Sequence, residues 1–263
     1  MNKKLQEKYL KNIEGNVNVG KIDSGVEFIF LVVALFAIIG VFSMFADNLI
    51  SFCIDRMPNE TQVRLERAIS LNIKNLNIVN DADTGKLSAI VQKVVAMDSK
   101  LQRKSNFPIY VVNNDKINAF IAPDGAIFVT SKLTDTIKNE EILAFVIAHE
   151  LGHYANRDHL KSIGKEIAKF IATTALSGSN STLETTLNGI SGIHELKHSR
   201  KQEKKADKYA SNAIYKLYGS TKGGVNFFKL LKNKENSPLF IEYLSTHPST
   251  ESRIKAIKKF KRN

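Results

Sequence analysis

Residues 144–153 read AFVIAHELGH. His149 and His153 stand four residues apart, and on an α-helix four steps leave them about 40° apart around the axis. Both imidazoles can therefore point at one ion. Zinc accepts imidazole nitrogen readily, and a catalytic zinc takes three protein ligands and keeps one position for water. Glu150, beside the first histidine, is placed to take a proton from that water. The apolar stretch Ala144–Ala148 buries the helix, and Gly152 permits close packing against a neighbour.

The pattern H-E-x-x-H arises often by chance, and the chain holds a second copy, HELKH at 194–198. The flanks separate the two. The second copy follows SGSNSTLETTLNGISG at 177–192, which reads as a flexible loop, and precedes the charged run SRKQEKK. It reads as solvated, so His194 and His198 are not expected as ligands; neither is His159. A third ligand is expected from EKKAD, where Glu203 and Asp207 share a helix face. If residues 194–210 form one helix, Glu203 lies about 140° around the axis from His198. It then faces away from a metal held by the second copy and can face one held by His149 and His153. Asp207 can accept a hydrogen bond from the far nitrogen of a ligand imidazole. Taken without the first histidine pair, Glu203 and Asp207 would read as a solvated face in a Lys-rich segment.

Outward from this centre the pattern is mostly helical. Leu87, Ile90, Val91, Val94, Val95 and Leu101 form a helical stripe. Residues 108–112, 117–122 and 126–130 read as strands, with Pro123-Asp124-Gly125 as a tight turn making a hairpin of the last two. Helical spacing resumes near Glu140 and continues to the end. The fold class is α+β: mostly α with a small sheet.

The chain has 263 residues, 43% apolar and 24% charged, which excludes wholesale disorder. Its single cysteine, Cys53, excludes a disulfide framework and leaves the redox compartment open. The formal net charge of +12 favours anionic surfaces, but a nucleic-acid reading needs more than charge. The basic tail KAIKKFKRN reads as a solvated helix end, and no nucleic-acid partner is expected.

From Phe28 to Ala46 no charged residue occurs. As a helix this run reaches roughly 28 Å, close to the thickness of a bilayer's hydrocarbon core. It is apolar all round, unlike a core helix with one wet face. Lys3, Lys4, Lys8, Lys11 and Lys21 precede it, and only Arg56 and Arg64 are basic in the 20 residues that follow. The expectation is an uncleaved signal anchor: residues 1–27 cytoplasmic, 28–46 spanning the inner membrane once, and 47–263 on the extracytoplasmic, periplasmic side.

The segments NAFIAPDGAIFVTSKL, AFVIAHELGHYANRDH, SRKQEKKADKYA and THPSTESR, in that order, resemble those of the membrane-associated zinc metallopeptidases that include HtpX, the Oma-type and BepA-like proteases and the CAAX prenyl protease. The resemblance covers roughly residues 60–260. It implies a zincin-like (gluzincin) domain after one transmembrane helix, with one zinc per chain on His149, His153 and Glu203. It implies Glu150 as general base and then acid, and Asp207 orienting a ligand. It places His247 near the metal, either stabilising the oxyanion or capping the zinc at rest, with Arg253 positioning a carboxylate or carbonyl. An extended polypeptide substrate is implied to pair with an edge strand, either 118–122 or 126–130. The family usually has Gly where Lys132 stands. Without extra membrane helices between the metal motifs, the single-anchor BepA-like or Oma-like kind fits best. The implied function is a membrane-anchored zinc metalloendopeptidase acting on misfolded or misassembled envelope proteins; the alternative is a catalytically silent zinc-binding chaperone using the same cleft. Oligomeric state is not implied.

Overall fold

The computed structural model describes residues 3–7, 24–70, 76–79, 83–102, 104, 106–177, 198–233, 237–248 and 251–260. The chain divides into two units, Met1–Asp47 and Asn48–Asn263. Helix α1 spans Ser24–Asp55 and contains the apolar run. Phe28, Ile29, Phe30, Leu31, Phe36 and Ile38 on it are each more than 60% exposed. Among the described residues no helix is long and apolar enough to cross a membrane; within the run, the side chains at 39 and 42–44 lie outside the described set. The loop expected at 177–192 lies outside it too, apart from Ser177.

The second unit continues through α2 (Asn59–Ser70), β1 (Ile78–Val79), α3 (Thr84–Val95), α4 (Ser99–Gln102), β2 (Ile109–Val112), β3 (Ala119–Ile121), β4 (Ile127–Thr130) and α5 (Ser131–Thr136). Then come α6 (Glu140–Ala155), α7 (Asp158–Ser177), α8 (Arg200–Tyr218), α9 (Lys222–Asn233), a 3-10 turn (Pro238–Phe240), α10 (Ile241–Thr246) and α11 (Glu251–Lys258). This is the expected α+β class, with one short strand, β1, that the sequence did not suggest.

The sheet order is β1-β2-β4-β3. The hairpin β3–β4 is antiparallel, with Phe120 opposite Phe128. Its turn needs Gly125, which sits at φ 82°, a region that a side chain disfavours. Parallel pairing of β2 with β4 places β4 inside, so β3 forms an edge.

Helix α6 explains the apolar run before the first histidine. Asn139 caps it, its Oδ1 accepting from the Ile142 N–H at 3.0 Å. Every residue from Leu143 to Tyr154 is buried, because α3 and β3, α8 and α9 all pack on this helix. Apolar residues are required all round rather than on a stripe. Helix α8 starts at Arg200, with Ser199 and Gln202 in a capping box. The single helix considered over 194–210 is therefore corrected at its start: the Ser199 hydroxyl accepts from the Gln202 N–H and so caps the helix, and His198 precedes it.

Helices α6 and α8 cross closely at Gly152. A β-carbon there would stand 3.0 Å from Tyr209 Cβ and 3.2 Å from Ala206 Cα. Arg157 at φ 57° turns the chain from α6 into α7. Its guanidinium donates to the carbonyls of Ile54 at 2.6 Å and Asp55 at 3.3 Å, closing the C-terminal end of α1. Replacing Gly152 by Val must push α8 outward. Overpacking of this kind costs about 1–3 kcal/mol, so thermal melting should fall by roughly 2–10 °C. Calorimetry of Gly152→Val against wild type checks it.

Candidate metal centre

Four donors converge beneath the α6–α8 crossing. His149 Nε2 lies 3.1 Å from His153 Nε2 and 3.5 Å from Glu203 Oε2. His153 Nε2 lies 3.3 Å from Glu203 Oε1. His247 Nδ1, from the segment after α10, lies 3.3 Å from His149 Nε2 and 3.1 Å from Glu203 Oε1. These four residues form a buried group able to hold a metal ion. Among the described residues, His159 and His198 stand outside it; His194 is not described.

The far nitrogens show what the near ones carry. His153 Nδ1 meets Asp158 Oδ2 at 2.9 Å. His149 Nδ1 stands 3.1 Å from Asp207 Oδ1, off the ideal hydrogen-bond line. Each carboxylate favours a proton on the nitrogen it faces, which leaves a lone pair on each Nε2. With both Nε2 atoms unprotonated, the two lone pairs repel in a dry interior unless a cation accepts both. Ligand bonds of 2.0–2.1 Å in tetrahedral zinc put donor atoms roughly 3.3 Å apart. Taking one donor atom from each of the four residues, all lie within 4.8 Å of one another, a spread that a bound ion can draw in, so the residues fit the ion.

Without a cation, protons fill the gap. Burial disfavours a charged imidazole, but Asp158 and Glu203 outweigh it and push His153 up to about 10. Asp207 and Glu203 likewise outweigh burial at His149 and raise it. Burial alone would raise the Glu203 carboxyl; the charge of His247 and the bonds to His149 and His153 bring it below its usual range instead.

Arg253 locks the acids in place. Its Nε donates to Asp207 Oδ2 at 2.6 Å and its Nη2 to Asp207 Oδ1 at 2.7 Å. Nη1 pairs with Glu203 Oε2 and donates to the Pro248 carbonyl at 3.0 Å. One guanidinium thus fixes α8, α11 and the segment carrying His247. Glu150 faces the same space, with Oε1 3.5 Å from His247 Nε2 and without a hydrogen-bond partner among the described residues.

The family model for peptidase family M48 matches residues 81–261. The chain belongs to peptidase family M48. This is a zinc-dependent family, in line with the resemblance drawn from the four motifs. Mitochondrial metalloendopeptidase OMA1 of Danio rerio is 25% identical over 184 residues, covering 64% of the chain and 38% of the relative. OMA1 of Saccharomyces cerevisiae is 24% identical over 204 residues, 74% of the chain and 56% of the relative. The β-barrel assembly-enhancing protease of Yersinia pestis is 27% identical over 185 residues, 63% of the chain and 37% of the relative. The chain thus spans between about a third and just over half of the length of these relatives.

Sequence reasoning missed two contributors to this M48 site. Asp158 lies five residues past His153, and nothing in the sequence shows the left-handed turn at Arg157 that brings it back. His198 stacks on the His153 ring, with centroids 3.8 Å apart and planes at 14°, and its N–H donates to the Thr246 carbonyl at 3.1 Å. The charged flank SRKQEKK hid it, because Gln202 and Glu203 in that flank are buried. Only the capping pattern at Ser199 hinted at a turn there.

Behind His153 lies a further buried cluster. Glu66 of α2 accepts from the Tyr154 hydroxyl at 3.0 Å and meets His159 Nε2 at 3.3 Å; Gln62 donates to it as well. Burial alone would raise the Glu66 carboxyl, but His159, Gln62 and Tyr154 together lower it below its ordinary 4.5. A depressed folded value gives stability that is present above 4.5 and lost as pH falls through that lower value. Glu66→Gln should therefore be less stable than wild type at pH 7, and the gap should close as the solution is acidified below 4.5. Melting curves of both proteins from pH 7 to pH 3 check this.

Proposed function

We propose that this chain is a membrane-anchored zinc metalloendopeptidase. The carrying observation is the pair of Nε2 atoms 3.1 Å apart, each imidazole facing a carboxylate, with Glu203 closing a third side. His149, His153 and Glu203 hold the metal in this reading. A bound zinc there supplies a Lewis acid and brings the pKa of a water it holds towards ~7. Glu150 Oε1 takes the proton from the attacking water and returns it to the leaving amine. Asp207 and Asp158 keep Nδ1 of the two histidines protonated, and Arg253 holds Asp207 and Glu203 in register.

His247 Nδ1 fills the corner that a water needs, so His247 caps the site at rest and must withdraw for substrate. The substrate is an extended polypeptide lying along β3. The bonds Ala122 N–H to Ala126 O at 2.7 Å and Thr130 N–H to Asn118 O at 3.0 Å put the even-numbered residues on the bonded side. Alternation then points the polar groups of Ala119 and Ile121 outward. The Ala119 N–H is taken by Asn118 Oδ1 at 2.9 Å. That leaves the Ala119 carbonyl and the Ile121 N–H and carbonyl for an added strand.

The exposed apolar side chains of α1 support an anchor, since so large an apolar surface is unstable in water. The lysines before it support a cytoplasmic N-terminus, with residues 47–263 across the inner membrane. There, misfolded or misassembled envelope proteins are the substrates. The relatives named as a β-barrel assembly-enhancing protease support that choice.

Glu150→Gln should keep zinc and lose at least about 100-fold in the cleavage of unfolded casein; an equally active variant would falsify the general-base role. Glu203→Gln should lose zinc at concentrations that saturate wild type, read by metal analysis after dialysis. His247→Ala should bind zinc more weakly yet turn over no more slowly when zinc is saturating, which steady-state kinetics over a zinc series will read.

A further inference from the structure

Tyr243 on α10 is a buried phenol that the chemistry above does not use. It is 1% exposed. Its ring stacks on His247, with centroids 4.7 Å apart and planes at 24°, and meets Phe227 edge-on at 5.3 Å. Among the described residues its hydroxyl has no hydrogen-bond partner. The contrast within the same body is direct: the Tyr154 hydroxyl donates to Glu66 at 3.0 Å and that of Tyr218 to Glu140 at 2.9 Å. Packing does not account for the oxygen. Phe145, Phe227, Phe228 and Phe240 are also fully buried in this core, and a phenylalanine would stack on His247 equally well.

An unsatisfied buried donor is unfavourable at rest. Such a group is accounted for when another state of the protein satisfies it. Glu150 Oε1 is a second buried polar atom without a hydrogen-bond partner among the described residues, and it lies 3.5 Å from His247 Nε2. Burial raises the pKa of the Tyr243 phenol, and the charge of Glu150 raises it further. Glu150 thus faces one nitrogen of His247 while the phenol ring of Tyr243 stacks on the face of the same imidazole.

We propose that the Tyr243 hydroxyl is a hydrogen-bond donor of the reaction, unsatisfied at rest and engaged by the oxyanion that develops on the scissile carbonyl once His247 withdraws. This rests on the peptidase reading above. The phenol keeps its proton throughout; no bond to it forms or breaks. A donor idle in the ground state and used in the transition state lowers the barrier by its full worth. Glu150 and Tyr243 then divide the work, Glu150 moving the proton and Tyr243 countering the charge.

Tyr243→Phe removes the hydroxyl and leaves the ring. In the full chain, purified in detergent, kcat for a fluorogenic peptide should fall at least tenfold; removing one oxyanion donor elsewhere costs about 10²–10³. KM should stay within about twofold and zinc content should match wild type. The melting temperature of the metal-free variant should be unchanged or higher, because an unsatisfied buried group has gone. A kcat equal to wild type overturns the inference. So does a kcat that falls together with zinc content or metal-free melting temperature, since the hydroxyl is then structural. A wild-type chain with no chelator-sensitive cleavage overturns the peptidase reading and this inference with it, whereas an active wild type beside an equally active Tyr243→Phe overturns this inference alone.

Discussion

Two imidazole nitrogens 3.1 Å apart in a dry interior must share either a proton or a cation, and the surrounding structure is arranged around that constraint. Helix α6 sets the first two corners by spacing alone, since positions i and i+4 share a face. The third corner comes from α8 and depends on distance between helix axes. Gly152 sits on the same helix as both histidines, one residue before His153, and lets α8 approach until Glu203 reaches both Nε2 atoms. The site's geometry is thus a consequence of one missing side chain as much as of three present ones.

The C-terminal segment completes the site through Arg253. Its fork grips both oxygens of Asp207, a geometry that lysine could not supply, and its plane lies 4.8 Å from the Phe228 ring. Because the same guanidinium donates to the Pro248 carbonyl, the position of His247 is tied to the acids that orient the metal-facing side chains. His198 reinforces the link from the other side, with its ring on His153 and its N–H on Thr246. His247 is thus held by its stack on Tyr243 and by a segment tethered on both sides, at Pro248 and at Thr246.

Much of this could be read in the sequence because it depends on local period. The i, i+4 histidines, the all-round apolar run that marks a central helix, the Pro-Asp-Gly turn and the shared face of Glu203 and Asp207 are all regularities of one element. What escaped depends on chain reversals and on burial from afar. Arg157 looks like any surface arginine in N-R-D, yet its left-handed backbone aims Asp158 at His153. Lys-rich SRKQEKK looks solvated, yet alternate positions of its helix go inward. Tyr243 carries no motif at all. Strand β1, two residues long, is too short to show a period. The edge strand also could not be chosen from sequence, because parallel pairing of β2 with β4 skips the strand between them.

Charge gives a reason why the resting site favours an ion. Asp158, Glu203 and Asp207 are buried within 3.5 Å of the two imidazoles, Glu150 is buried against His247, and among the described residues Arg253 is the buried permanent cation that pairs with Glu203 and Asp207. Four carboxylates against one guanidinium is an excess that a low-dielectric interior does not tolerate. Protons on His149 and His153 reduce it, as their raised affinities show, but a protonated Nε2 cannot also point at another protonated Nε2. A divalent cation resolves both problems with one object: it neutralises two charges and accepts the lone pairs that the far carboxylates direct inward. Metal binding and folding of the α6–α8 crossing are for that reason coupled, and the acids that orient the ligands contribute to affinity through the tautomers they impose.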